Sequence, residues 1–463
     1  MSEAAVPPRR GLVRRHLAWS LFALMLAVFI AGRAVGPRVP DDQQKRWCVV
    51  NVHVTAVLGV SLNCDSPEFM RDATHLSALL EPGSPLQTRP GAPFAAWLVA
   101  LPLRPLAALV PGVAKAERTD IDRGRIDNAL QTFGPSYIAY IALNVLVLGL
   151  SFHVFRQIYR LHQPVDEPDA VAIVSVAVAT LMIATYPLTN YLLSPHTQAL
   201  NTLVPLLTLY WALRASAGAL ADTRFAVTVG AVVGLGTTAY GLFPVTAMTV
   251  LLFAGLHALR NWPRRVSLAL LRNAMIVVLM SVLPAVVWYV FVRETTGEFY
   301  NNELARGNSV IWMLTALHQG PSEFVRQFIL RASFHFRGFV SLLPMTAAMS
   351  AVTAGFFIAA MRLGREKMVA PAASGVASTV GTALVVAVML FGFYVCVGQF
   401  QVRHSYAAIP PLVAALGVIA TTLAGRLPAT WRRSYAGACG VVAILTLALA
   451  IAEGPHVTGQ WFD

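Results

Sequence analysis

The sequence predicts an all-helical (all-α) polytopic integral membrane protein, a single transmembrane domain over residues 1–463 with about eleven transmembrane helices. Three observations predict it. Only 12% of the residues are charged and 56% are hydrophobic, against roughly a quarter charged in a soluble domain, and the mean hydropathy is +0.62. Apolar runs close to the ~20 residues that cross a bilayer as a helix recur along the chain. Arginines gather in every second connection between those runs, as the retention of positive charge on one side requires. The net charge of +13 is therefore spread between apolar runs and not gathered in one patch. Positive loop charge retained on the cytoplasmic side explains it better than nucleic acid does, with headgroup attraction adding to it.

The first run, 17–36, follows "PPRRGLVRR" and shows no small-residue cleavage site after its apolar core, so an uncleaved helix is expected. The other runs are 134–155, 170–188, 199–216, 225–241, 244–260, 272–292, 338–361, 375–398, 406–424 and 435–452. Arg9, Arg10, Arg14 and Arg15 place the N-terminus in the cytoplasm. Counting forward puts Arg156/Arg160, Arg214/Arg224, Arg260/Arg264/Arg265, Arg362/Arg365/Lys367 and Arg426/Arg432/Arg433 on the same side, and the C-terminus outside. One missed span would invert everything downstream of it.

Two outer loops are long, 37–133 and 293–337. Within the first, "PFAAWLVALPLRPLAALVPGV" (93–113) is apolar enough to suggest a further span. Pro102, Arg104 and Pro105 at its middle would leave lipid-facing backbone unsatisfied, so interfacial helices are expected instead. In the second loop, Phe324, Phe328 and Ile329 alternate with Glu323, Arg326 and Arg331, the pattern of an interfacial amphipathic helix. Its aromatics suit an interface belt or stacking on sugar faces. The breaks in "VGLGTTAYGLFP" (233–244) have no counterpart elsewhere, which weighs against a transporter built from repeats.

Chemistry concentrates in "NCDSPEFMRDATHL" (63–76). Asp65 and Glu68 are three apart and share a face if the segment is helical. The spacing, with Pro67 in the first turn, fits a capping box. It equally fits a carboxylate held at the membrane boundary as a general base. Arg71 and Asp72 are expected to face water or pair with neighbours, and His75 to pack. Asp41 and Asp42 are a competing carboxylate pair that reads better as a solvated turn. Arg403 and His404 stand at the outer mouth of a late helix, where ionisable groups are functional candidates. An arginine there suits forked contacts with phosphate oxygens or a snorkelling anchor. Arg89 in "TRPGAPF" and Arg337 in "FHFRGF" are further phosphate candidates. The four cysteines show no CxxC spacing, so no metal site is expected from them. Cys48 and Cys64 share the first outer loop; a disulfide between them would close about sixteen residues and stabilise by roughly 3 kcal/mol.

This arrangement resembles the GT-C glycosyltransferases, membrane enzymes that take a sugar from a polyprenyl-phosphate donor. Their first loop reads roughly as an acidic residue, an aromatic, small residues, then "RP-x-x-P". Here "CDSPEFMRDATHLSALLEPGSPLQTRPGAPF" sets Asp65 on the base position, Phe69 on the aromatic, and Arg89, Pro90 and Pro93 on the turn. Helices 225–241 and 244–260 joined by "GLFP" are similar, and "QVRHSYAAIPPLVAAL" (401–416) resembles "R-Y-x-x-P-x-x-P". Many members carry a second acidic residue after the third helix. Here "NYLLSPHTQALN" (190–201) has His196 and Gln198, so a divalent metal is not indicated, and Glu68 is left as the second carboxylate.

The resemblance implies an inverting transfer to a lipid or cell-envelope glycan on the outer face of the bacterial cytoplasmic membrane. Asp65 and Glu68 would be catalytic, and Arg403, His404, Arg89, Arg337 and His196 would bind substrate. No nucleotide cofactor is expected, since no glycine-rich phosphate loop appears. Two alternatives remain. A transporter or flippase of lipid-linked sugars would need ionisable groups deep in the spans. An O-antigen polymerase or ligase would depend on late-loop arginines.

Overall fold

The computed structural model describes the chain apart from residues 1–9, 37–48, 54–58, 64, 108–114, 117–122, 162–168, 262–267, 306–308, 363–372, 399, 401 and 454–463. The body is helical. α1 (Arg10–Val35), α5 (Arg123–Arg160), α10 (Phe243–Arg260), α11 (Leu268–Thr296), α16 (Ala373–Val397), α18 (Ile409–Arg426) and α19 (Ala429–Ala452) carry the seven stretches long and apolar enough to cross a membrane. An eighth arises if α14 (Pro321–Leu342) and α15 (Pro344–Arg362), bent by 60° at their junction, form one broken span.

Three expected spans are shorter than a bilayer needs. α6 (Asp169–Ile183) and α9 (Thr223–Thr237) have 15 residues and α8 (Leu200–Ser216) has 17. At 1.5 Å per residue these reach about 22–26 Å, against roughly 30 Å of hydrocarbon. For α6 the reason is visible: its helix ends at Ile183, and the chain turns into α7 (Tyr186–Tyr191) where the sequence suggested continuation to 188. α6 and α8 are buried along nearly their whole length, which tolerates irregular backbone at membrane depth. Helices apolar on every side belong in a bundle centre. α11 is their opposite, with side chains such as Leu279, Leu283 and Val287 more than half exposed on the bundle's periphery.

The expected helix 338–361 also differs. Its first residues belong to α14, which begins at Pro321 and buries only Phe334, His335, Gly338 and Leu342. The amphipathic pattern from 321 thus continues past where a new span was expected to begin.

The segment between α1 and α5 departs from an all-helical reading. β1 (Val49–His53) pairs antiparallel with β2 (Gly59–Asn63), Val50 opposite Leu62, and β3 (Lys115–Ala116) joins the other edge of β1. Val52 and Leu62 are buried under this small sheet. The chain then forms α2 (Ser66–Thr74), a 3-10 turn at Leu76–Leu80, and α3 (Gly91–Ala100). α3 passes through a 3-10 turn, Leu101–Leu103, into the short α4 (Arg104–Ala107). Pro102 falls in that turn, and Phe94, Leu98 and Leu101 stay exposed along the segment expected to be interfacial. Cys48, Cys64, Asp41 and Asp42 lie outside the described residues.

Between α11 and α14 the second loop contains α12 (Asn302–Ala305) and α13 (Ile311–Gln319). It is held to the bundle at the end of α16. The Arg331 guanidinium lies 4.1 Å from the ring centre of Trp312 and 5.1 Å from that of Phe400, and the Trp312 indole donates to the Cys396 carbonyl at 2.8 Å. Gly398, at φ 81, makes this possible, because a Cβ there would sit 2.5 Å from the Trp312 ring.

Candidate functional site

The candidate site forms where β2, α2, the turn after α7 and α17 (Val402–Ser405) meet. The last residue of β2, Asn63, donates its backbone N–H to Ser194 Oγ (3.1 Å) and its amide to Tyr191 Oη (3.3 Å). Its own Oδ1 accepts the Asp65 backbone N–H at 2.8 Å. Ser66 Oγ lies 2.7 Å from Ser194 Oγ. The sheet therefore pins the start of α2 onto the 191–194 turn.

That turn has lost regular helical pairing, so its carbonyls need other donors. α5 supplies them from two residues seven apart on one face. Asn144 spreads its amide over the carbonyls of Tyr191, Leu192 and Ser194 at 3.1–3.3 Å. Tyr137 Oη donates to the Leu193 carbonyl at 2.9 Å. His196 follows directly and is 5% exposed, with its ring between Phe69 (5.0 Å) and Tyr191 (4.9 Å).

Asp65 does not cap α2. Its backbone is helical (φ −74, ψ −19), not the extended conformation of a capping residue, and its side chain makes no cap hydrogen bond. The carboxylate instead faces His196, with Nε2 3.7 Å from Oδ2, and stays 53% exposed. Partial burial raises its pKa, but His196, Arg403 and Arg89 outweigh this and hold the carboxyl below the ordinary value. Burial depresses His196 to about 4 despite Asp65, with Arg403 and Arg89 pushing the same way. The pair is therefore a carboxylate beside a neutral imidazole.

Arg403 is half-buried; its Nη1 donates to Tyr191 Oη at 2.8 Å and its guanidinium lies 5.5 Å from that ring's centre. Arg89, in the "TRPGAPF" turn, acts electrostatically on Asp65 and His196. Gly91 there donates to the Thr238 carbonyl at 2.8 Å, and a Cβ at Gly91 would stand 2.5 Å from Thr238 Oγ1 and 3.0 Å from its backbone. Buried Gln87 anchors the same turn, donating to the Leu79 carbonyl and accepting from Tyr300 N, while its own carbonyl takes the Trp288 indole N–H.

The other candidates separate. Glu68 is half-buried one turn along α2. His404 is 8% exposed and stacked on Tyr394 (4.6 Å, 12°). Arg337 is exposed on α14 and is not among the charges acting most strongly on Asp65 or His196. His335, two residues earlier, is the buried one, with Nδ1 3.1 Å from Ser405 Oγ. His75, expected to pack, is exposed. Asp72 is fully buried, bound to Arg71 Nε at 2.9 Å and to Ser84 Oγ at 3.4 Å, and burial raises its pKa against Arg71's pull.

Among the described residues, no group of three His, Cys, Asp or Glu side chains is placed to hold a metal ion. Sequence reasoning missed Tyr191, Ser194, Asn144 and His335. It also missed a buried hydroxyl network in which Tyr240 Oη (2.7 Å) and Tyr394 Oη (3.1 Å) both donate to Asn201 Oδ1. A polar residue inside an apolar run, such as Asn144 in "YIALNVLVL", is the signal that could have found them. No family model, no curated protein and no solved structure matches the chain.

Proposed function

We propose that this chain is a membrane glycosyltransferase that moves a sugar from a polyprenyl-phosphate donor to a lipid or cell-envelope glycan acceptor. One observation carries the reading. Segments distant in sequence bring together a half-exposed carboxylate, Asp65, the His196 ring 3.7 Å from it, and Tyr191, which packs on that ring and accepts a 2.8 Å hydrogen bond from Arg403, while Arg89 acts on the same carboxylate. The transfer needs those charges. Asp65 takes the acceptor hydroxyl proton, the freed oxygen attacks the anomeric carbon, and the bond to the donor phosphate breaks with its electron pair leaving on the phosphate oxygen. Arg403 and Arg89 offset the charge that remains. A single displacement inverts the anomeric centre.

The resemblance to the GT-C enzymes supports the same assignment residue by residue at Asp65, Phe69 and the Arg89–Pro93 turn. Topology agrees with it. If all eleven helical segments cross, with the N-terminus cytoplasmic and the C-terminus outside, Asp65, Arg89, His196 and Arg403 all fall on the outer face. The basic connections fall on the other. The bacterial cytoplasmic membrane is the setting this reading implies. A flippase is disfavoured because the Asp, Glu, Lys, Arg and His side chains of the seven long helices, among the described residues, stand within about two turns of a helix end.

The phosphate assignment is tested in nanodiscs with polyprenyl phosphate as the probe. Charge-assisted hydrogen bonds of about 1.5–3 kcal/mol correspond to roughly 10- to 100-fold in affinity. Arg403→Gln is expected to lose that much, and Arg403→Lys to recover part. Unchanged binding by Arg403→Gln would remove Arg403 from the phosphate site.

A further inference from the structure

His196 was a substrate-binding candidate by sequence, yet the fold gives it another neighbour. Its imidazole is 5% exposed while Asp65 is 53% exposed, so an acceptor hydroxyl can reach the carboxylate but not the ring. Phe69 and Tyr191 flank the ring. Nδ1 is buried without a hydrogen-bond partner, whereas Nε2 faces Asp65 Oδ2.

These facts choose the tautomer. A proton on Nδ1 would bury an unpaired donor and set the Nε2 lone pair against a carboxylate, two acceptors facing each other. A proton on Nε2 is directed at Oδ2 and leaves only a bare lone pair unmatched. The 3.7 Å separation is longer than a closed hydrogen bond, as catalytic contacts often are in an unliganded site.

We propose that His196 is a positioning residue for Asp65: a neutral, Nε2-protonated imidazole that donates to Oδ2 and leaves the other carboxylate oxygen for the acceptor hydroxyl. The role deepens the glycosyltransferase reading and rests on it. Asp65 accepts the proton, while His196 fixes its orientation and keeps it ionised. The charged or titratable groups around the ring are Asp65 before α2, Tyr191 on α7, Arg403 and His404 on α17, and Arg89 from the turn before α3. The arginines oppose a proton on the ring, so it donates without carrying charge.

The test uses full-length protein in nanodiscs with 15N-labelled histidine, His196 being assigned by difference from His196→Gln. At pH 7 the expected signature is a neutral ring with a protonated Nε2 and a bare Nδ1, and Asp65→Asn perturbs the Nε2 resonance. A proton on Nδ1, or an imidazolium, would overturn the proposal. Transfer from a polyprenyl-phosphate sugar gives a second readout. His196→Gln keeps an N–H near the Nε2 position and should stay within about threefold of wild type. His196→Leu should lose on the order of 10- to 100-fold in kcat, less than the ~10²–10⁴-fold due to a base itself. KM should be unchanged, and the acid limb of the pH profile should move to higher pH. Wild-type kcat and pH profile in His196→Leu, with Asp65→Asn inactive, would sink this inference alone. Full transfer by Asp65→Asn would sink the reading beneath it, and the tautomer would still be read from wild-type protein.

Discussion

Replacing Asn144 with leucine removes the side chain that holds the site's turn together. Asn144 is 4% exposed on α5, and its two amide hydrogens are shared among the carbonyls of Tyr191, Leu192 and Ser194. Each hydrogen satisfied is worth about 0.5–1.5 kcal/mol net, and a buried carbonyl left without a donor costs about 1–3 kcal/mol. Interhelical hydrogen bonds in membranes fall at the low end, near 0.6 kcal/mol on average. The Tyr191 carbonyl keeps a second donor, the Ser194 N–H at 3.2 Å, so at most two carbonyls lose all pairing by this route. The expected cost is about 2 kcal/mol, roughly 30-fold in the folded-to-unfolded ratio. Reversible unfolding by SDS titration in mixed micelles measures it. Ser281→Ala is the control, since that Oγ is buried on α11 without a hydrogen-bond partner, so its removal breaks no hydrogen bond and should not lower stability. If Asn144→Leu behaves like Ser281→Ala, the turn is not held by α5 and the account of how the site is positioned is wrong.

Other outcomes follow from the same geometry. His196 is neutral in the fold down to about pH 4 but binds a proton near 6.5 when unfolded. The unfolded state therefore holds more protons between those values, and stability should fall as pH drops from 6.5 toward 4. His196→Gln should flatten that slope in the micelle assay; an unchanged slope would contradict the neutral ring. For topology, a cysteine at Glu81 in an otherwise cysteine-free protein should react with an impermeant reagent on intact cells, and one at Asn261 only after permeabilisation. Both side chains are exposed, and the reverse pattern would invert the orientation.

Hydropathy places the helical segments because burial in lipid is decided by runs of side chains that sequence displays directly. It does not decide how long each helix stays regular. α6 stops at Ile183, two residues lead into α7, and the turn beyond α7 has its carbonyls satisfied from α5, a long-range fact. The sheet in the first loop escaped notice because "VVNVH" and "GVSLN" are only five residues each and gain strand character by pairing. The cap expected at Asp65 is absent, because capping spacing does not fix φ and ψ at the cap. Arg337 and His335 stand two apart in one short motif, "FHFRGF". Two residues turn a helix by about 200°, so only one could face the bundle, and packing against Ser405 decides which. Partners such as Asn144 and Tyr191 were legible as polar groups in apolar surroundings, but what they hold is set by tertiary contact.

The most direct test of the central claim is single-turnover transfer by Asp65→Asn in nanodiscs, with a radiolabelled polyprenyl-phosphate sugar and an envelope-glycan acceptor, scored beside donor binding. The substitution keeps shape and removes the proposed base, and general-base catalysis contributes ~10²–10⁴-fold. The account predicts at least a hundredfold loss of transfer with donor binding retained, and a smaller loss for Glu68→Gln. Near wild-type transfer by Asp65→Asn would contradict it, and loss on Glu68→Gln alone would show that the neighbouring carboxylate is the base.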